Sequence, residues 1–139
     1  MRHFLFALGT ALALTVLVGC GARKAVVSGL VTLDGQPLDR GDMQFFPVAG
    51  DGQTSFAFIG PDGRYRAELS PTRTKVVIHL SRVVKKVKEY ENVPDSPLVE
   101  IREEVLPARY SDMNKTELHI DAVPGDNQVD FDLKSDRKK

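Results

Sequence analysis

The chain has 139 residues, with 19 Lys and Arg against 19 Asp and Glu, three His and a single Cys. A formal net charge of zero excludes the strongly basic field that recruits nucleic acid, and a lone thiol excludes an internal disulfide or an all-cysteine metal site. The length suits one small domain with a modest core.

The N-terminus begins with Arg2 and His3, followed by an uncharged stretch, FLFALGTALALTVLVG, from Phe4 to Gly19. As a helix, that stretch spans about 24 Å at about 1.5 Å per residue, short of a hydrocarbon core of about 30 Å. It fits the apolar region of a secretory signal peptide, with a short signal-anchor helix as the alternative. The run ends in Leu17-Val18-Gly19-Cys20, which resembles a bacterial lipobox at all four positions. The resemblance implies cleavage before Cys20 and a diacylglycerol on its thiol. The protein is then expected in the cell envelope, anchored to a membrane and facing the periplasm or the cell surface. A thiolate is the natural nucleophile for that modification, and stable anchoring takes more than one acyl chain. Loss of residues 1–19 removes Arg2 and no acid, which leaves a balance of −1. Residues 20–24 form a short lipidated tether, residues 25–134 the folded domain, and residues 135–139 a disordered tail.

From Ala25 onward the pattern is that of short strands. AVVSGLVTL (25–33) ends at the turn signal Asp34-Gly35-Gln36-Pro37. MQFFPV (43–48) is a short strand that Pro47 ends, bulges or confines to an edge. TSFAFI (54–59) leads into a second turn, Gly60-Pro61-Asp62-Gly63. RYRAEL (64–69) alternates, with Tyr65, Ala67 and Leu69 on one face and Arg64, Arg66 and Glu68 on the other. Thr74 to Val84 is expected to be the longest strand, with Val76, Ile78 and Leu80 inward. In ELHIDA (117–122), Leu118, Ile120 and Ala122 point inward; in VDFDL (129–133), Val129, Phe131 and Leu133 do. Seven such strands predict an all-β, seven-stranded antiparallel β-sandwich.

Several residues are similar to those of a known family. Gly29-Leu30-Val31, Asp34-Gly35-Gln36-Pro37-Leu38, Gly41 before a strand, and Pro61-Asp62-Gly63-Arg64-Tyr65 resemble the signature of carboxypeptidase-regulatory-like modules, which have a transthyretin-like (prealbumin-like) sandwich. The stretch LPARYSDMNKTELHIDAVPGDNQVDFDL resembles the end of small bacterial lipoproteins that carry this module. The chain departs from the family at Ser70-Pro71-Thr72-Arg73-Thr74, where a Pro-Gly pair and an aromatic are usual. Without a glycine, that corner is expected to be a type I turn or a wider loop.

Residues 83–110, VVKKVKEYENVPDSPLVEIREEVLPARY, form a charged insertion at about 84–106. Pro94-Asp95-Ser96-Pro97 is a turn. If the arms pair as a hairpin, Lys85, Lys86 and Lys88 face an acidic arm containing Glu100, Glu103 and Glu104. Each cross-strand pair is worth only about 0.2–1 kcal/mol. A solvated mobile loop, or one or two helical turns in EIREEV, are the alternatives. The six charged residues named above are the candidate surface for a partner, either another envelope protein or a glycan.

Catalytic candidates are sparse. His79 and His119 both alternate to the face opposite the apolar residues of their strands, and His119 with Asp121, Asp130 and Asp132 makes at most a loose outward patch. The Asp-Gly loops at 34–35, 51–52 and 62–63 lack calcium-loop spacing. Ser28-Gly29 and Ser70-Pro71 are not nucleophile elbows. Transthyretin-like hydrolases of 5-hydroxyisourate end in Tyr-Arg-Gly-Ser, and this chain ends Ser135-Asp136-Arg137-Lys138-Lys139. The two-Tyr, two-His iron site of intradiol-dioxygenase-like sandwiches is not evident either. The expectation is a non-enzymatic, lipid-anchored envelope sandwich with no cofactor and a structural or binding role. The alternatives are an envelope hydrolase or a carbohydrate-binding module, for which Phe46, Tyr90 and Tyr110 are the candidate stacking aromatics.

Overall fold

The alternation of apolar and polar residues along AVVSGLVTL becomes the longest strand among the described residues, β1 (Ala25–Leu33), with Ala25, Val27 and Val31 fully buried. The structure is a computed structural model and describes residues 24–49 and 52–136. Leu17, Val18, Gly19 and Cys20 lie outside the described residues, as do most of the tether and the last three residues.

The other elements follow in order. They are β2 (Gln36–Pro37), β3 (Asp42–Pro47), β4 (Ser55–Phe58), β5 (Arg64–Leu69), β6 (Arg73–His79), β7 (Ser81–Lys88), β8 (Leu98–Glu104), the single helical turn α1 (Ala108–Ser111), β9 (His119–Asp121), β10 (Gly125–Gln128) and β11 (Phe131–Leu133). In the first sheet β1 is central. It pairs antiparallel with β5 and β2, and parallel with β10 and β11. The second sheet has the order β4-β3-β6-β9, all antiparallel. The inner faces meet in one core that includes Val27, Val31, Tyr65 and Phe131 from the first sheet and Phe45 and Ile78 from the second. The molecule is therefore a β-sandwich. Tyr65 links its layers, with its ring centroid 6.3 Å from Phe45 and 5.9 Å from Phe131. Each such buried large side chain contributes about 1.5–3 kcal/mol.

Three differences from the expected seven antiparallel strands have identifiable causes. First, the described residues form eleven strands, because β2, β8 and β10 add to the expected set and the expected 74–84 strand breaks at Leu80 into β6 and β7. Second, not every pairing is antiparallel. β9 ends at the same end of the sandwich where β1 begins, since Arg73 pairs with Asp121 and Gly125 with Ala25. The chain crosses between sheets there, so β10 and β11 run alongside β1 in the same direction. Third, of the readings open for residues 84–106 the hairpin is the one formed, with Ser81–Lys88 and Leu98–Glu104 paired as strands on either side of a turn.

The turns obey their residues. Asp34 and Gly35 have φ of 52° and 82°, both left-handed, which is the geometry of a two-residue hairpin turn. Pro47 ends β3. The glycine-free corner at 70–72 is turned without positive φ, and Thr74 is buried with its hydroxyl donating to the Thr72 carbonyl at 3.2 Å. Gly29 allows a close backbone approach. A Cβ there would lie 1.8 Å from the Val129 carbonyl oxygen, on the segment joining β10 to β11.

Candidate functional site

β7 and β8 are built from alternating cationic, anionic and β-branched residues, which favour strand pairing but leave little to bury. Among the described residues these strands pair only with each other. Every residue of β7 and β8 is exposed except the half-buried Val87. The register places Lys86 opposite Glu100, Val87 opposite Val99, Lys85 opposite Ile101 and Lys88 opposite Leu98, with a bulge between Val83 and Lys85. One face thus carries Val87, Val99 and Ile101, and the other carries the charges of Lys86, Glu100 and Arg102. The Pro94-Asp95-Ser96-Pro97 stretch lies at the tip, where the Ser96 hydroxyl accepts the Tyr90 amide at 2.8 Å.

The expected pairing of Lys85, Lys86 and Lys88 with Glu100, Glu103 and Glu104 holds for one pair. Lys86 Nζ is 3.2 Å from Glu100, and Arg102 completes that network at 2.8 Å. Hydrogen bonds from Arg102, and then from Lys86, hold the Glu100 carboxyl below the usual carboxylate range. Glu103 stands opposite Arg82. Lys88 Nζ donates to the Pro94 carbonyl at 3.1 Å.

Glu104 is exposed and also engaged within the chain. Its Oε1 accepts the backbone amides of Leu80, Val105 and Leu106, each at 3.0 Å. Its Oε2 lies 2.9 Å from His79 Nδ1. The carboxylate therefore ties both legs of the hairpin to the end of β6, and this is where the expected long strand breaks. Val105 also donates to the Leu80 carbonyl at 2.8 Å.

The hairpin's place relative to the chain's entry follows from the registers. Ala25 pairs with Leu69, which immediately precedes the corner leading to β6, so β1 starts at the Arg73 end of the sandwich. The hairpin springs from the other end of β6, beyond His79. A cleft of about 650 Å³ opens at the entry end between β4 and β5, lined in part by Lys24, Thr54, Phe56, Glu68 and Leu69. Lys24 Nζ bridges to Glu68 there at 3.0 Å.

The histidine and acid candidates are not brought together. His79 is engaged by Glu104, while His119 Nδ1 is 3.0 Å from the Glu117 carbonyl. Asp121 sits 3.8 Å from Arg73 on the second sheet. Asp130 and Asp132 belong to the first sheet, where Asp130 accepts the Leu30 amide at 2.8 Å and Asp132 the Thr32 hydroxyl at 2.9 Å. Among the described residues, no group of three or more His, Cys, Asp or Glu is placed to hold a metal ion. Nor is any helix among them long and apolar enough to cross a membrane.

Of the aromatics expected to be available for stacking, Tyr110 is buried, Phe46 half-buried and Tyr90 exposed. Sequence reasoning missed Phe56 and Phe58, which are 66% and 83% exposed on the outer face of β4. Their signal was the alternation itself. Ala57 lies opposite Met43 in the core, so its two neighbours must face out. Phe56 stands beside Gln44, and Phe58 beside Asp42.

No family model matches the chain, and no curated protein matches it. Among solved structures it is similar to a DUF3823 family protein from Parabacteroides merdae, at 16% identity and a TM-score of 0.43. That match covers 83% of this chain and 48% of the other, so this chain spans about half of that protein's length. It is also similar to the dioxygenase domain of a dioxygenase carbohydrate-binding protein fusion from the cellulolytic bacterium Streptomyces sp. SirexAA-E, at 16% identity and a TM-score of 0.40, covering 86% of this chain and 85% of that one.

Proposed function

We propose that the protein is a lipid-anchored cell-envelope β-sandwich of transthyretin-like type, with a non-catalytic binding role exercised through the β7–β8 hairpin. The observation that carries this reading is the placement of the hairpin at the end of the sandwich opposite Ala25. Residues 20–24 reach at most about 18 Å, at about 3.3–3.6 Å per residue. An acylated Cys20 holds the Ala25 end against the bilayer and leaves the hairpin on the far side, open to another envelope component. A rigid sandwich that carries an exposed loop or arm is a common way to present a binding surface.

Two measurements test it. Mass spectrometry of the protein from its native envelope is expected to show a mature chain that starts at an acylated Cys20. Cross-linked partners are expected to change when residues 85–104 are replaced by a short Gly/Ser loop in a folded, anchored variant. An unacylated Cys20 would end the anchoring part of the proposal, and an unchanged partner profile would end the hairpin part.

Phe56 and Phe58 favour a second reading, a glycan-binding face. Their exposed rings lie beside Gln44 and Asp42, the mixture of apolar platform and hydrogen-bonding groups that suits a sugar ring. Retention on immobilised cell-wall glycans that is lost in Phe58→Ala would support it, and absence of retention would dismiss it.

A further inference from the structure

The hairpin leaves backbone groups unpaired along both outer edges, and a two-stranded ribbon standing alone is marginally stable. Its two edges differ in charge. Among the described residues, Arg82, Lys85 and Lys88 on β7 have no carboxylate within 4 Å, whereas on β8 Glu100 is held by Lys86 and Arg102, and Glu104 by the hairpin root. Glu103, opposite Arg82, has no cation within 4 Å among the described residues, so the uncommitted charge of the two strands is positive in balance, with its cations on β7. At the base of β7 a cleft of about 320 Å³ is lined by Asp39, Arg40, Leu80, Arg82, Val83 and Arg102, an apolar floor with an arginine rim. Arg40 is occupied by Asp39 at 3.1 Å, and Arg102 by Glu100, which leaves Arg82 as the uncommitted guanidinium of that cleft.

A second copy of this chain is a poor occupant of this edge. Pairing two β7 edges about a two-fold axis sets cations against cations, and pairing two β8 edges sets Glu103 and its neighbours against their own kind. We infer that the β7 edge receives an extended acidic segment of a partner protein as an added strand, with a carboxylate of that segment seated on Arg82 at the mouth of the basal cleft. Main-chain hydrogen bonds along β7 hold such a strand, and Arg82 and Lys85, on one face of the ribbon, select for its acidic side chains. The inference rests on the proposed role of the hairpin in partner binding, and names the chemistry of what binds.

The probe is a short capped peptide of alternating glutamate and valine, titrated against the full-length protein and followed by amide chemical shifts. Shifts are expected to concentrate on residues 81–88 and to weaken as salt is raised. A matching lysine–valine peptide is expected to leave β7 unmoved. Replacing Arg82 and Lys85, which share one face of the ribbon, together by Gln is expected to weaken binding about fivefold, as two cross-strand charge pairs would. Neither pairs with a carboxylate among the described residues, and unchanged shifts in β1 and β6 check that the variant keeps the fold. A peptide N-methylated at every residue, which has no amide to donate along either edge, is expected not to bind. Equal binding of the acidic and basic peptides, equal binding of the N-methylated peptide, or uptake by phosphatidylglycerol vesicles in place of the peptide each overturns the inference. If the peptide fails while the 85–104 replacement still changes the cross-linked partners, this inference falls and the proposed function stands. If the cross-links are also unchanged, both fall.

Discussion

Glu104 Oε2 lies 2.9 Å from His79 Nδ1, joining positions 25 residues apart at the root of the hairpin. The other oxygen of the same carboxylate takes three backbone amides. One acid therefore satisfies donors that the break at Leu80 would otherwise leave without partners.

Glu104→Ala is expected to destabilise the protein by about 1–3 kcal/mol, because hydrogen bonds to a charged acceptor are lost from partly buried amides. The loss should be local first. Hydrogen exchange of the 82–103 amides is expected to accelerate while that of β1 stays protected. Equal protection of the hairpin in variant and parent would show that the root is held by something else.

Gly29→Ala is expected to be among the most damaging single substitutions, costing about 3 kcal/mol or more. The added methyl meets the Val129 carbonyl at 1.8 Å, and that carbonyl also accepts the Tyr65 hydroxyl at 2.8 Å. Neither the strand nor the carbonyl can move without breaking β1–β11 pairing. Urea denaturation that left the midpoint where it was would contradict this account.

Tyr65 sets an alkaline limit on stability. Burial, and then the nearby negative charge of Asp130, push its phenol well above the ordinary value of 10.0. The folded state holds this proton more tightly than the unfolded state does. Its contribution is full below about pH 10 and is lost as pH rises past that point towards the folded value. Tyr65→Phe is expected to lower stability at neutral pH by about 0.5–1.5 kcal/mol, the worth of one hydrogen bond. The same variant should lose less than the parent between neutral and strongly alkaline pH. Parallel stability curves for the two proteins would refute the assignment.

Glu100→Gln is expected to leave global stability nearly unchanged, although two cations contact it, because exposed ion pairs contribute little. Its effect should shrink further as salt rises. A larger loss, measured by thermal unfolding, would mean that the hairpin is coupled to the sandwich beyond its root.

Cys20→Ser is expected to abolish acylation and lipoprotein processing, leaving a precursor or a released soluble form. Membrane fractionation with mass spectrometry checks it, and an unchanged mature mass in the variant would falsify the assignment.

Local pattern alone carried the strands with strict alternation. RYRAEL buries Tyr65, Ala67 and Leu69, and VDFDL buries Phe131 and Leu133 with Val129 packed beside them, because a period of two leaves only one way to hide the apolar set. Asp34-Gly35 and the centre around Pro94 and Pro97 announced their turns, since few residues tolerate those backbone angles. Tertiary structure decided what depends on neighbours distant in sequence. Whether the C-terminal strands run with or against β1 depends on the end at which the chain changes sheets, and no local period records that. Glu104 reads as one more acid in a charged arm until Leu80, Val105 and Leu106 present three amides to it. Phe56 and Phe58 are more apolar than Ala57, yet face solvent, because Ala57 is the residue in register with Met43 over the core, and the pleat then turns its neighbours outward whatever their hydrophobicity.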